Sequence, residues 1–201
     1  MVGNPIMANP GGREYDVLRM PSHRQAQDAP ECICYALWMV AHYVANEYPD
    51  KDVRAKTNPP KLDLIRDYLE IGDLGWENVG QEPLTELATE ISSLKFHLEY
   101  RYNGLPQSVD EFANEGLNQL LPTIIMVDRV LLKTGNRGEG PVHAVIVSGV
   151  GDSHITIEDP LVEGTTTMEI GKLEEAWDPE FNTSIAVRLS DGLEPTRRDE
   201  L

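Results

Sequence analysis

Two apolar runs in the C-terminal half constrain the fold of this chain more than any other feature. His143 stands near the start of the first run, Pro141–Val150, and Asp159 closes the second, Ile155–Pro160. Both runs are rich in β-branched residues, and the turn residues from Gly149 to Ser153 separate them, which predicts a β-hairpin. Pairing of the strands would return the Asp159 carboxylate close to the His143 imidazole. An imidazole oriented by a carboxylate is two parts of a nucleophilic triad, so a nucleophile is expected elsewhere in the chain.

Composition indicates a soluble globular protein. The chain has 201 residues, of which 40% are hydrophobic and 25% charged, enough for one domain with a full core. Its 17 basic and 34 acidic residues give a net charge of -17, which disfavours nucleic-acid binding and fits either a basic protein substrate or a strongly hydrated surface. No apolar run reaches the length of a membrane span, and the N-terminal residues do not form a secretory signal. We therefore expect a cytoplasmic protein without membrane association.

The chain divides into three parts. Residues 1–24 are rich in Pro, Gly, Asn and Gln and predict an extended lead-in, residues 25–190 predict the folded domain, and residues 191–201 predict a flexible tail. Apolar spacing predicts helices early in the domain and strands late in it. This order indicates an α+β fold in which N-terminal helices pack on an antiparallel sheet. The predicted helices centre on residues 37–44, 62–71, 84–94 and 108–120, with a helical turn at 173–177; a loop is expected at 133–140, and the strands at 96–100, 123–127, 141–150, 155–158, 165–170 and 184–189.

Cys32 is the candidate nucleophile. It stands immediately before the first predicted helix, where unpaired backbone N–H groups and the helix dipole stabilise a thiolate. Cys34 lies two residues further on and points elsewhere, so burial is its expected role. A disulfide between residues so close is disfavoured, and no further ligands complete a zinc site. No cofactor or metal is expected.

The segment around Cys32 and the two hairpin strands resemble a known family. Residues 31–43, Glu-Cys-Ile-Cys-Tyr-Ala-Leu-Trp-Met-Val-Ala-His-Tyr, are similar to the nucleophile helix of the C39-like, papain-fold cysteine peptidases. The run that begins at His143 is similar to that family's His-Ala-Val-Val-Val-x-Gly strand, and the run to Asp159 is similar to its strand ending in Asp-Pro. Weaker matches extend the resemblance over residues 25–189. Ile33 and Cys34 stand where the family has Gly-Pro.

The resemblance implies a papain-like fold and a thiol mechanism. Cys32 would attack a peptide or isopeptide bond in a peptide or protein substrate, His143 would act as its base, and Asp159 would orient the imidazole. Gln27 would donate to the oxyanion, with Gln25 as the alternative. Two other functions remain open on the sequence: a catalytically inactive domain that binds a peptide or a partner protein, and an acyltransferase that uses the same triad.

Overall fold

The computed structural model describes residues 17–21, 31–47, 61–69, 81–90, 96–101, 108–109, 113, 116–117, 121–136, 142–162, 164–177 and 183–189. Most of the predicted lead-in and the whole of the predicted tail lie outside these residues. The helices, in chain order, are α1 (Cys32–Glu47), α2 (Leu62–Leu69), α3 (Gln81–Glu90), α4 (Arg129–Thr134) and α5 (Ile170–Ala176). The strands are β1 (Phe96–Arg101), β2 (Thr123–Asp128), β3 (Val142–Val150), β4 (His154–Glu158), β5 (Thr165–Glu169) and β6 (Ser184–Leu189).

The strands form a six-stranded sheet in the order β1-β6-β2-β3-β4-β5, and each neighbouring pair is antiparallel. The expected α+β class with helices packed on an antiparallel sheet is confirmed. Four residues of the helix predicted at 108–120 are described as helical, Val109, Ala113, Gly116 and Leu117, and most of the others lie outside the described residues. None of the described helices is long and apolar enough to cross a membrane.

At β2 and β3 both faces of the sheet are buried, which explains the continuous apolar runs of these two strands. One face packs on the helices α1, α2 and α3 and the other on α4 and α5. Alternate residues of each strand therefore enter different cores. In β3, Ala144 and Ile146 lie in the core with α1, whereas Val145 and Val147 lie in the core with α4 and α5.

The predicted hairpin is β3 and β4, with Ile146 opposite Glu158 and Val150 opposite Ile155. Strand pairing includes Gly149 and Val150, the first two residues of the expected turn, and a register shift between Val147 and Gly149 accommodates one extra residue in β3. The carbonyl of Ser148, at that irregularity, accepts a 2.8 Å hydrogen bond from the backbone of Leu18. A short N-terminal segment is thereby attached to the sheet.

The prediction of a loop at 133–140 is wrong for its first two residues, because Lys133 and Thr134 belong to helix α4. Asp128 caps the helix by accepting a 2.9 Å hydrogen bond from the backbone of Leu131, and Gly135 ends it in the left-handed conformation with φ 71°. Ile170, predicted as the end of a strand, is likewise the first residue of α5. Helix α4 is short, so apolar periodicity alone was a poor guide to it. The helical turn predicted at 173–177 falls within α5 except for its last residue.

Candidate active site

Cys32 is the first residue of α1, and its side chain lies against the start of β3. The Sγ atom accepts a 3.3 Å hydrogen bond from the backbone N–H of Ala144. The preceding residue, Glu31, accepts the hydrogen bond of Tyr35 N–H in the first helical turn. The thiol therefore lies on the first residue of the helix and accepts a hydrogen bond from the backbone of the sheet.

His143 and Asp159 form a short, buried hydrogen bond. The Nε2 atom of His143 lies 2.6 Å from Oδ1 of Asp159, and the two residues are 3% and 8% exposed. The hairpin produces this contact because the side chain of His143, at the start of β3, and that of Asp159, just after β4, meet at the same end of the paired strands. With Nε2 engaged by the carboxylate, Nδ1 is the ring nitrogen left to face the thiol.

The carboxylate of Asp159 is held by the turn that follows β4. The backbone N–H of Leu161 donates to Oδ1 at 2.8 Å, and the backbone N–H of Val162 donates to the Asp159 carbonyl at 2.9 Å. Pro160 occupies the intervening position, where its fixed φ favours a turn. One carboxylate oxygen therefore accepts from both the turn and the imidazole, which orients the group.

The pKa values of His143 and Asp159 shift in opposite directions. Burial alone would lower the pKa of His143, but the hydrogen bonds with Asp159 and with Cys32, and the charges of both groups, raise it to about 9. Burial likewise opposes ionisation of Asp159, but the hydrogen bond and charge of His143, the Leu161 N–H and the charge of Arg129 bring the pKa of its carboxyl below the usual value. The arrangement therefore favours an imidazolium beside a carboxylate.

Cys34 and Ile33 have no access to this site. Both side chains are fully buried in the core between α1 and the sheet. Burial, together with the charge of Glu31, raises the pKa of the Cys34 thiol to about 12, so the group stays protonated and inert at neutral pH.

The remaining predicted residues lie elsewhere. Gln27 and the alternative Gln25 fall outside the described residues. His154 is exposed at the far end of the hairpin, where Nδ1 lies 2.8 Å from the hydroxyl of Ser153. His42 is half-buried and stacks on Trp38, with ring centroids 3.8 Å apart. Within the described part of the chain, no group of three or more His, Cys, Asp or Glu residues has an arrangement that could hold a metal ion.

Two features of the site were not predicted. The hydrogen bond from the backbone N–H of Ala144 to the thiol depends on the packing of α1 beside β3, which the sequence does not show. Arg129, whose charge acts on Asp159, follows β2 directly, and β2 pairs with the strand that carries His143. The sequence shows a basic residue two positions after the apolar run that ends at Val127. Only the pairing of β2 with β3 shows that this residue lies at the same end of the sheet as His143.

Two solved structures are similar to this chain over most of its length. A double glycine motif protease from an AMS/PCAT transporter, solved in complex with the leader peptide, has a TM-score of 0.54 at 16% identity and covers 87% of this chain and 94% of its own. A protein described as a C39-like peptidase from Bacillus anthracis has a TM-score of 0.60 at 14% identity, covering 89% and 98%. Comparisons with protein-family models and with curated proteins find no match.

The fold of the chain is therefore the papain-like α+β fold of C39-like peptidases. The resemblance that three short motifs indicated is confirmed at this level. Structural similarity at 14–16% sequence identity shows the fold alone. The chemistry has to be inferred from the side chains of the site.

Proposed function

We propose that this protein is a thiol hydrolase that cleaves a peptide or isopeptide bond. The observation that carries the proposal is the 2.6 Å hydrogen bond between His143 and Asp159. At the same site, the thiol of Cys32 accepts a hydrogen bond from the backbone of Ala144, the residue after His143. Thiol, imidazole and carboxylate in this order are the parts that nucleophilic catalysis by cysteine requires. A fold shared with C39-like peptidases supports the same chemistry.

In the proposed mechanism Cys32 and His143 form a thiolate–imidazolium pair, in which the imidazole holds the proton of the thiol, and the thiolate attacks the carbonyl carbon of the substrate. The backbone N–H of Cys32, at the start of α1, stabilises the oxyanion together with the side-chain amide of Gln27. The imidazolium of His143 then donates its proton to the leaving amine, which departs and leaves a thioester on Cys32. Water, deprotonated by the same imidazole, attacks the thioester and releases the acid and the free thiol.

A peptide is the proposed substrate. One structural neighbour is a protease solved in complex with a leader peptide, which supports a peptide as the substrate here. The chemistry of a cysteine nucleophile with an imidazole and a carboxylate does not itself require a metal ion.

The first test is labelling by a thiol-reactive peptide electrophile, measured by mass spectrometry of the intact protein. We expect wild type to gain one label at Cys32, and both Cys32→Ala and His143→Ala to lose it. Cys34→Ala is the matched control, since it removes the neighbouring thiol but leaves the site in place, and it should label at the wild-type rate. A label that persists in Cys32→Ala would refute the assignment of the nucleophile.

A second candidate function is a binding domain without catalysis, which the burial of the site favours. Cys32 is 6% exposed and His143 3% exposed, so a peptide must displace covering groups to reach the sulfur. The same labelling experiment separates the two functions when a small alkylating reagent is included. Reaction of Cys32 with the small reagent but not with the peptide electrophile, and no turnover of peptides, would favour the binding domain.

A further inference from the structure

The start of α1, which carries the candidate nucleophile, is bonded to a side chain of a different helix. Glu31 stands directly before Cys32, and its backbone carbonyl accepts a 3.1 Å hydrogen bond from the N–H of Tyr35 in the first turn of α1. The carboxylate of Glu31 lies 2.5 Å from Nη2 of Arg66 in α2. Glu31 is therefore bonded through its backbone to α1 and through its side chain to α2.

Arg66 stands on a helix that is fixed in the core. Ile65 and Leu69, which precede and follow it in α2, are 0% and 1% exposed and belong to the same core cluster as the buried residues of α1. The second terminal nitrogen of Arg66, Nη1, donates to the carboxylate of Asp63, one turn earlier in α2, at 2.8 Å. The guanidinium thus joins a carboxylate of its own helix to the carboxylate of Glu31 at the start of α1.

The next residue of the chain is bonded on its other side to the sheet. The thiol of Cys32 accepts the 3.3 Å hydrogen bond from the backbone of Ala144 in β3. Consecutive residues are therefore attached to two different elements, Glu31 to α2 and Cys32 to β3. Because His143 is the neighbour of Ala144, a displacement of the start of α1 would also change the distance between the thiol and its base.

The ion pair is suited to placing the thiol more than to stabilising the fold. The side chains of Arg66 and Glu31 are 34% and 21% exposed, and ion pairs that are partly open to water add little to the stability of a protein. Misplacement of a reacting group by about 1 Å, in contrast, can lower a rate by up to about a hundredfold. Loss of the pair should therefore affect the chemistry far more than the fold, and the two effects can be measured separately.

We propose that Arg66 is a positioning residue for the nucleophile, and that it holds Cys32 against β3 by binding the carboxylate of Glu31. The catalytic consequence of this inference rests on the proposed hydrolase function. The placement of the thiol against the backbone of Ala144 can be measured without any substrate, so the two proposals are tested by different readouts.

The amide proton of Ala144 reports the hydrogen bond to the thiol. Its chemical shift is measured by NMR on the full chain, and Cys32→Ala, which removes the acceptor, supplies the value for a lost bond. Arg66→Met, Glu31→Ala and the double variant remove the ion pair, whereas Arg66→Lys keeps its charge. Asp63→Asn is the matched control, because it removes the charge of the other carboxylate bound to the same guanidinium, at a side chain that is 81% exposed.

We expect Arg66→Met and Glu31→Ala to move the Ala144 shift by similar amounts toward its value in Cys32→Ala, and the double variant to move it no further. Arg66→Lys should restore part of the wild-type shift, since an ammonium group can bind the carboxylate but lacks the fork of the guanidinium. Asp63→Asn should keep the wild-type shift. Urea unfolding, measured alongside, should differ little among these proteins.

Peptide cleavage supplies the second readout. In the variants without the ion pair, kcat should fall by about tenfold while KM stays nearly unchanged, because the bound peptide meets a misplaced thiol. Asp63→Asn should keep the wild-type kcat, and Arg66→Lys should recover part of the loss.

A wild-type Ala144 shift in both Arg66→Met and Glu31→Ala would overturn the inference, and so would an equal displacement in Asp63→Asn. Opposite displacements in the two single variants would assign the effect to charge at the start of α1 and would overturn it as well. An Ala144 shift that does not respond to Cys32→Ala would refute the hydrogen bond on which the inference depends. If the shifts change as expected but the wild-type protein cleaves no peptide, the proposed hydrolase fails and the positioning of Cys32 by Arg66 stands.

Discussion

At the scale of single residues, the protonation of His143 is the property on which the chemistry depends. Its hydrogen bonds with Asp159 and Cys32 outweigh the cost of burial and raise its pKa from 6.5 to about 9. The proton that the leaving amine requires is therefore present at neutral pH, and it is lost as the pH rises through the raised value. The same shift stabilises the folded protein below the unfolded pKa, near 6.5, and that contribution disappears as the pH rises through about 9.

This assignment predicts the alkaline limb of the pH profile. We expect kcat/KM for peptide hydrolysis to fall above about pH 9, and the limb to move to lower pH in Asp159→Asn, because the substitution removes the negative charge that holds the proton on His143. The measurement is the pH dependence of kcat/KM for both proteins.

Glu158→Gln is the control for that profile. Glu158 adjoins Asp159 in sequence and is also buried, but its carboxylate accepts from the hydroxyl of Thr165 at 2.8 Å instead of from the imidazole. Its substitution should leave the alkaline limb in place. An unchanged limb in Asp159→Asn, or an equal displacement in Glu158→Gln, would contradict the role given to Asp159.

At the scale of elements, the close packing of the helical residue Gly116 against Leu121 and the start of β2 leaves no room for a side chain. A Cβ atom added at Gly116 would lie 2.8 Å from the backbone oxygen of Leu121 and 2.8 Å from the hydroxyl of Thr123. The backbone oxygen cannot rotate away, so the helix and the start of β2 would have to separate. Gly171, in α5, has open space at the same atom.

These two glycines give a matched pair of substitutions. Gly116→Ala should lower the free energy of unfolding by about 1–3 kcal/mol, because it overpacks a rigid contact. Gly171→Ala should leave it unchanged or raise it by up to about 1 kcal/mol, because alanine is the better helix former. Urea unfolding of the two variants measures both changes, and a similar loss in both would mean that the Gly116 contact is not the cause.

The individual strands and helices also show how much of the fold could be predicted from the sequence. The runs of β2 and β3 were predicted because strands buried on both faces are almost wholly apolar, and β4 was predicted because it is rich in β-branched residues. The hairpin of β3 and β4 in turn predicted that His143 lies near Asp159. The helix α4 was missed because six residues do not establish a period. Asp128 and Gly135 are residue types that commonly cap helices, but Asp128 is also the last residue of β2, so the apolar pattern of the strand runs directly into the helix.

At the scale of the whole molecule, the sequence predicted the class of fold but not the contacts between its halves. Helices followed by strands indicated an α+β protein, and the structural neighbours share that architecture. The bond from Ala144 N–H to the Cys32 thiol and the approach of Arg129 to Asp159 depend on how helices dock on a sheet. Docking is set by packing across many residues, which no local pattern records.

The net charge of -17 predicts a dependence of stability on salt. Like charges repel one another across the folded surface, and the screening length falls from about 10 Å at 0.1 M to about 3 Å at 1 M salt. The melting temperature at pH 7 should therefore rise by about 2–4 °C over that range of sodium chloride, equivalent to about 1 kcal/mol. Near the isoelectric point, pH 4.6, the rise should disappear. A rise of equal size at both pH values would assign the effect to general exclusion of salt from the surface.

The contact between Cys32 and Ala144 joins residues 112 positions apart. During synthesis the thiol leaves the ribosome long before the strands that carry its partners, and Asp159 emerges later still. A nascent chain shorter than the hairpin therefore contains the nucleophile without its base, and closing so long a loop is a late step of folding. If the proposed hydrolase is correct, the newly made protein acquires its reactivity when the sheet is completed, so its own early segments are not exposed to an active thiol while they are still unfolded.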